Sequence, residues 1–144
     1  MTSEISQDMA HEIMTTAFAK AAEMGLKPLT VAVLDAGGHL KALSRQDGTS
    51  TLRPEIAQGK ARGAISMGLG SRALFKRAQE QPYFIQSMNA LSDGSLVPVP
   101  GGVLARNPDG RIIGAVGITG DSSDNDETCA IAAIEAVGLV ADAG

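Results

Sequence analysis

The 144-residue chain is poor in aromatic side chains and in cysteine. It has no Trp, and its aromatics are Tyr83, Phe18, Phe75 and Phe84. A platform for single-stranded nucleic acid needs stacking rings beside a basic groove. Here 12 basic residues face 16 acidic ones, and the net charge of −4 repels a phosphate backbone. No nucleic-acid partner is expected. One cysteine, Cys129, cannot close an internal disulfide, and one sulfur does not make a zinc site. Within "TCAIAAIEA" it reads as a small buried hydrophobe. No segment approaches the roughly 20 apolar residues that span a bilayer, so no membrane partner is expected either. The start "MTSEISQDMAHEI" is polar and acidic and has no basic segment leading into an apolar run. A cytoplasmic location is the expectation.

Other features are abundant. The chain is 44% hydrophobic and carries 17 glycines, so its core must be built from Ala, Val, Ile, Leu and Met. Its length suits one domain over residues 1–144. Ser3 or Ser6 can cap a first helix carrying Ile5, Met9, Ile13, Ala17 and Ala21 at helical spacing and closing near Gly25. "LTVAVLD" and "HLKALSR" read as strands, and "DAGG" between them is a hairpin signal. Pro54 suits the first turn of a second helix, "EIAQGKARGAISMGLG". Ser71 can cap a short helix that stops before Pro82, and "YFIQSMNAL" adds a further turn or two. "VPVPGGVLA" is a short extended piece and "RIIGAVGIT" a strand. "DSSDNDETCAIAAIEAVGLVA" reads as one terminal helix after its cap residues. The hairpin and the "NPDG" turn favour an antiparallel sheet with helices packed on it, an α+β domain.

Three glycines in "GAVGITGD" (Gly114, Gly117, Gly120) stand between an apolar run and a helix, the order used by phosphate-binding loops. The stretch has neither the G-x-x-x-x-G-K-[ST] nor the G-x-G-x-x-G spacing, and the acids that follow would repel a pyrophosphate. In a strand, Gly117 shares a face with Ala115, and Gly114 takes the other. Glycine there marks a bulge or a close approach. "PGG" at Pro100–Gly102 adds a second stretch of bare backbone.

Lys60 shares a helical face with Ile56, Ala64 and Met67. A lysine on an apolar stripe either snorkels to the edge of the core or lines a pocket and meets an acid or an anionic ligand. Arg53, seven residues earlier, lies toward the same face, and such a cation pair suits a carboxylate or a propionate. Arg62 falls on another face and reads as solvated. His39 opens the second strand and His11 lies in the first helix; each is either an exposed histidine or a ligand for a metal or a haem iron. Asp121, Asp124, Asp126 and Glu127 resemble an oxygen-ligand run without the EF-hand pattern, and read mainly as helix-start caps.

Taken in order, "VAVLDAGGHLKALSRQDG", "KARGA", "PGGV" and "GRIIGAVGITG...DNDE" resemble the GlcG/HbpS family of haem-binding-like proteins, which includes the C-terminal domain of PduO corrinoid adenosyltransferases. The resemblance runs from about the first helix to the last. It implies a profilin-like α+β fold, with an antiparallel sheet of about five strands flanked by helices, and homo-oligomers from dimers to octamers. The Ala-rich last helix, apolar almost all round, fits burial between subunits. The family pattern falls on Asp35, Gly37, Gly38, Arg45, Asp47, Lys60, Gly101, Gly102, Gly114, Gly117, Gly120 and Asp126–Glu127. This chain has "RQDG" where relatives often carry Arg-Met-Asp.

Three functions follow as expectations. The first is a cytoplasmic protein binding haem or a related tetrapyrrole, with Lys60, Arg53, Arg45, His39, Gly101 and Gly102 around the ligand and His39 or His11 on the iron. The second is a small enzyme or accessory protein of hydroxy- or oxo-carboxylate catabolism, with Lys60 holding the anion. The third is an oligomeric scaffold without a small ligand.

Overall fold

The computed structural model describes residues 3–144. Ten elements follow in chain order: α1 (Gln7–Met24), β1 (Thr30–Asp35), β2 (Leu40–Arg45), α2 (Arg53–Met67), α3 (Ser71–Glu80), α4 (Pro82–Leu91), β3 (Gly102–Arg106), β4 (Ile112–Thr119), α5 (Ser123–Ala136) and β5 (Val140–Asp142). The strands form one antiparallel sheet in the order β2-β1-β4-β3-β5. This is the α+β architecture expected from the sequence.

The two faces of the sheet are covered differently. Val31, Val33, Val103, Val116 and Ile118 join the buried faces of α1 and α5 in the larger core. Leu34, Leu104 and Ala115 join Ala61 and Ala64 of α2 on the other face. Ser6 caps α1, its Oγ accepting from the Met9 N–H, and Gly25 at positive φ closes it. The hairpin turns through Gly38 at φ 82°. A third, smaller cluster of Leu74, Ile85 and Leu96 ties α3 and α4 to the loop before β3.

The glycines explain how α2 lies so low on the sheet. Gly102 and Gly117 are register partners on neighbouring strands. A Cβ at Gly117 would overlap the Ala57 carbonyl, and one at Gly102 the Lys60 carbonyl. The helix backbone therefore rests directly on bare strand backbone. Gly114, on the opposite face, makes room for Ile5.

Two local expectations are corrected. The chain after Ala136 does not continue as helix. Gly138 takes φ 81°, the Leu139 N–H reaches back to the Ile134 carbonyl, and residues 140–142 pair with β3 as a fifth strand. An apolar run carries helix and strand equally well, and the left-handed glycine decides between them. Ser71 is not a cap either: Gly70 holds that position, and the Ser71 Oγ accepts from the Gly102 N–H at 2.7 Å.

Gly117→Ala is expected to cost about 3 kcal/mol, at the upper end for overpacking, because the opposing atom is helix backbone. Gly59→Ala, whose added methyl would press on the Val97 side chain in a loop, should cost less. Urea unfolding checks this as a lower midpoint at unchanged slope.

Candidate functional site

The site grows from where α2 touches the sheet. The Lys60 carbonyl lies over Gly102, so its side chain runs beneath the loop carrying Gly101 toward the end of β4. There Nζ donates to the Ile118 carbonyl at 2.9 Å and stands 3.4 Å from Asp126 Oδ2. The two side chains are only 3% and 1% exposed. The lysine on the apolar stripe therefore meets an acid in the interior. Gly101, at φ 122°, is needed at this point, because a Cβ there would crowd both Nζ and the Ile118 carbonyl.

Asp126 arrives from the other face. Ser122 caps α5, its Oγ accepting from the Asn125 N–H. This brings the Asp126 carboxylate under the turn, where Oδ1 accepts from the Asp121 N–H at 3.0 Å. Reading the acidic run as caps is thus right for Ser122 and incomplete for Asp126. Burial raises the Asp126 pKa above its ordinary value, against the pull of Lys60. Burial likewise lowers that of Lys60, against the pull of Asp126. Asp121 is held at about 2 by Asn125 and by the Lys27 and Ser122 N–H groups. One turn further along α5, burial and the nearby Asp126 push the Cys129 thiol up to about 11.

A cavity of about 270 Å³ opens above this pair, lined by Arg53, Ile56, Lys60, Val97, Val99, Thr119, Asp121, Ser123 and Asp126. Arg53 spans its rim, donating from Nη1 to Thr119 Oγ1 at 2.7 Å and from Nε to Ser50 Oγ at 3.2 Å. The cation pair read from the sequence spacing is therefore built around one space. The most informative neighbour, Asp126, was not paired with Lys60 from the sequence. It lies 66 residues away, and the sequence marked it only as an acid at a helix start and as one position of the family pattern.

The other named residues lie elsewhere. Arg45 lines a cavity of about 530 Å³ with Phe18, Leu26, Lys27 and Asp47. That space holds no buried polar group, so the chemistry concentrates in the smaller one. Gly101 and Gly102 are buried against Lys60 and line none of the cavities described. His11 is exposed on α1, on the face of the sheet opposite α2. His39 follows the hairpin turn with its imidazole 82% exposed and Nδ1 3.3 Å from Asp35 Oδ1. Arg62, expected in solvent, is half-buried and donates to the Gly38 carbonyl of that same turn at 3.4 Å. His39 thus sits at the C-terminal half of α2, and Arg53 at its start. At 1.5 Å per residue the two lie roughly 15 Å apart along the helix.

The layered sheet and helices define an α+β domain of the profilin-like class. The chain belongs to the HbpS-like family, described as haem-degrading HbpS-like proteins, whose profile matches residues 5–135. Protein GlcG of Escherichia coli K12 is 36% identical over 115 residues, covering 80% of this chain and 81% of its own. The crystal structure of a PduOC:haem complex superposes with a TM-score of 0.84 at 26% identity, covering 94% of this chain and 96% of that one. HbpS shares the fold at a TM-score of 0.80 and 24% identity, covering 96% and 93%. Among the described residues, no helix is long and apolar enough to cross a membrane.

Lys60→Met is expected to cost about 3–5 kcal/mol, because it leaves Asp126 buried without its partner. Adding Asp126→Leu should recover most of that loss, and urea unfolding of the two variants checks the order.

The raised Cys129 pKa gives a second expectation. Its contribution to stability is complete below the unfolded value of 9.0 and is lost as pH rises toward about 11. Wild type should therefore lose stability over that window relative to Cys129→Ala. At pH 8, iodoacetamide should label the thiol only under unfolding conditions.

Proposed function

We propose that this chain is a ligand-binding protein of the HbpS-like family whose ligand is haem or a related tetrapyrrole, with His39 as the iron ligand. The observation that carries the reading is the way His39 is held. Its Nδ1 faces Asp35, whose Oδ1 also accepts the Gly37 and His39 N–H groups at 3.0 Å each. Burial would raise the Asp35 pKa, yet these donors and the imidazole bring it below its ordinary value, so the carboxylate stays charged. A carboxylate on one ring nitrogen fixes the tautomer and leaves the other free for a metal. Among the described residues nothing occupies Nε2, and Gly37 leaves the space the ring fills. The superposed haem complex adds support, since this chain covers almost all of that protein.

The donor set fits the group in part. His39 can hold the iron, and Arg62, packed against the same turn, is the cation placed for a propionate. Arg53 lies at the far end of α2 from that turn, and Lys60, though near Arg62 along the helix, is buried and already engaged with Asp126. A bound haem would supply redox and ligand-binding chemistry at its iron.

The same proposal extends to context. Residues 1–144 act as one binding domain. Leu40 on one edge strand and Val140 on the other are about half exposed, which supports association of copies into a homo-oligomer, from a dimer to an octamer. The single buried thiol suits a reducing, cytoplasmic setting.

Titration with haemin should give a shifted Soret band that saturates at one haem per chain. His39→Ala should abolish the shift, and His11→Ala should leave it intact. Absence of a saturable shift in wild type, or its survival in His39→Ala, refutes the assignment.

A further inference from the structure

We propose that the cavity between Arg53 and Lys60 is a separate site for a small 2-hydroxy- or 2-oxo-carboxylate. The inference does not rest on haem binding, because His39 lies at the other end of α2.

Size is the first argument. A cavity of about 270 Å³ is just below the roughly 300–1,000 Å³ of sites for drug-sized ligands, so its occupant has only a few carbons. Ile56, Val97 and Val99 supply an apolar wall for a short chain.

Charge is the second. Arg53 is half-buried, yet among the described residues no carboxylate lies within ion-pair distance of it. Its hydroxyl partners, Ser50 and Thr119, take one N–H from Nε and one from Nη1. A guanidinium has five N–H donors, so three remain, two of them on Nη2, to meet a carboxylate. Neither acid lining the cavity lies within ion-pair distance of Arg53, although Asp121 keeps its charge there. Asp121 is satisfied by Lys27, Ser122 and Asn125, and Asp126 by Lys60 and the Asp121 N–H.

Donor geometry is the third and selects the class. Lys60 Nζ carries three protons, of which the Ile118 carbonyl and Asp126 take two. The remaining N–H belongs to a side chain almost wholly buried that lines the same cavity as Arg53. A carboxylate on Arg53 with an oxygen on the adjacent carbon uses both cations. A plain carboxylate leaves the lysine donor unmatched, and a buried unmatched donor is costly.

The test is amide NMR titration of the full chain with lactate, pyruvate and propionate as probes, and with inorganic phosphate as a control. Lactate or pyruvate should shift the amides of residues 119–126 saturably, with a dissociation constant of about 1 mM or tighter, and propionate should bind about tenfold more weakly. Arg53→Gln should weaken the 2-substituted acids about tenfold or more, and Lys60→Met should erase their advantage over propionate. Should Lys60→Met fail to fold, the partly exposed Arg53→Gln still decides the matter. The proposal is overturned if no probe saturates at residues 119–126, if phosphate binds as well as lactate and pyruvate, or if Arg53→Gln binds like wild type.

Discussion

The contact between the α2 backbone and the bare Gly102–Gly117 pair constrains everything that follows. A helix held that close to a sheet has no room for a large residue beneath it, so Ala57, Ala61 and Ala64 are the side chains buried there. Lys60 is the one long side chain buried on the helix, and the low helix directs it lengthwise under Gly101 to the end of β4. Packing thereby fixes where a charge must go. The charge in turn needs an acid, and Asp126 supplies it from the first turns of α5.

That ion pair joins the layers on the two faces of the sheet, as do the ion pairs of Arg72 on α3 with Asp124 and Glu127 of α5. α2 covers one face and α5 the other, and β4 runs between them into the turn at residues 119–122. Lys60 donates to the carbonyl of Ile118, the penultimate residue of β4, and Asp126 accepts from the turn itself. Asp121 extends the same network to the Lys27 N–H on the connection between α1 and β1. Two connections, one strand and two helices are thus tied at one corner of the molecule, and the small cavity lies at that corner. Hydrogen bonds inside a poorly hydrated corner are strong when complete and costly when broken, so this region is set firmly.

Much of this was legible in the residues, for stated reasons. β-Branched residues before "DAGG" and alternation after it marked the hairpin, because short-range turn chemistry decides it. The apolar stripe through Ile56, Ala64 and Met67 singled out Lys60, because helical periodicity is local. The glycines of "GAVGITGD" were readable as a close approach, with Gly117 and Ala115 on one face. What approaches them was not readable, since that depends on a helix 60 residues earlier in the chain. The Lys60–Asp126 partnership was hidden for the same reason: an acid near a helix start looks like any capping acid until the sheet brings it inward. β5 was missed because "GLVA" continues an apolar run, and only pairing with β3 and the left-handed Gly138 distinguish it from more helix.

The ends of α2 carry different chemistry, and the cost of the buried pair bears on what each is for. Replacing a buried ion pair with well-packed apolar groups is often neutral or stabilising. Lys60 and Asp126 are therefore weakly justified by stability alone. What an apolar pair could not supply is a charged donor at the floor of a cavity whose rim holds an unpaired guanidinium. The far end of α2 shows the opposite design. There the turn donors and Asp35 orient an exposed imidazole, and nothing is buried at cost. A group kept at the surface suits a large ligand that lies across it, and a buried cation suits a small one that enters. The stability given up at Lys60 is thus best explained by a ligand that the surface site at His39 could not hold.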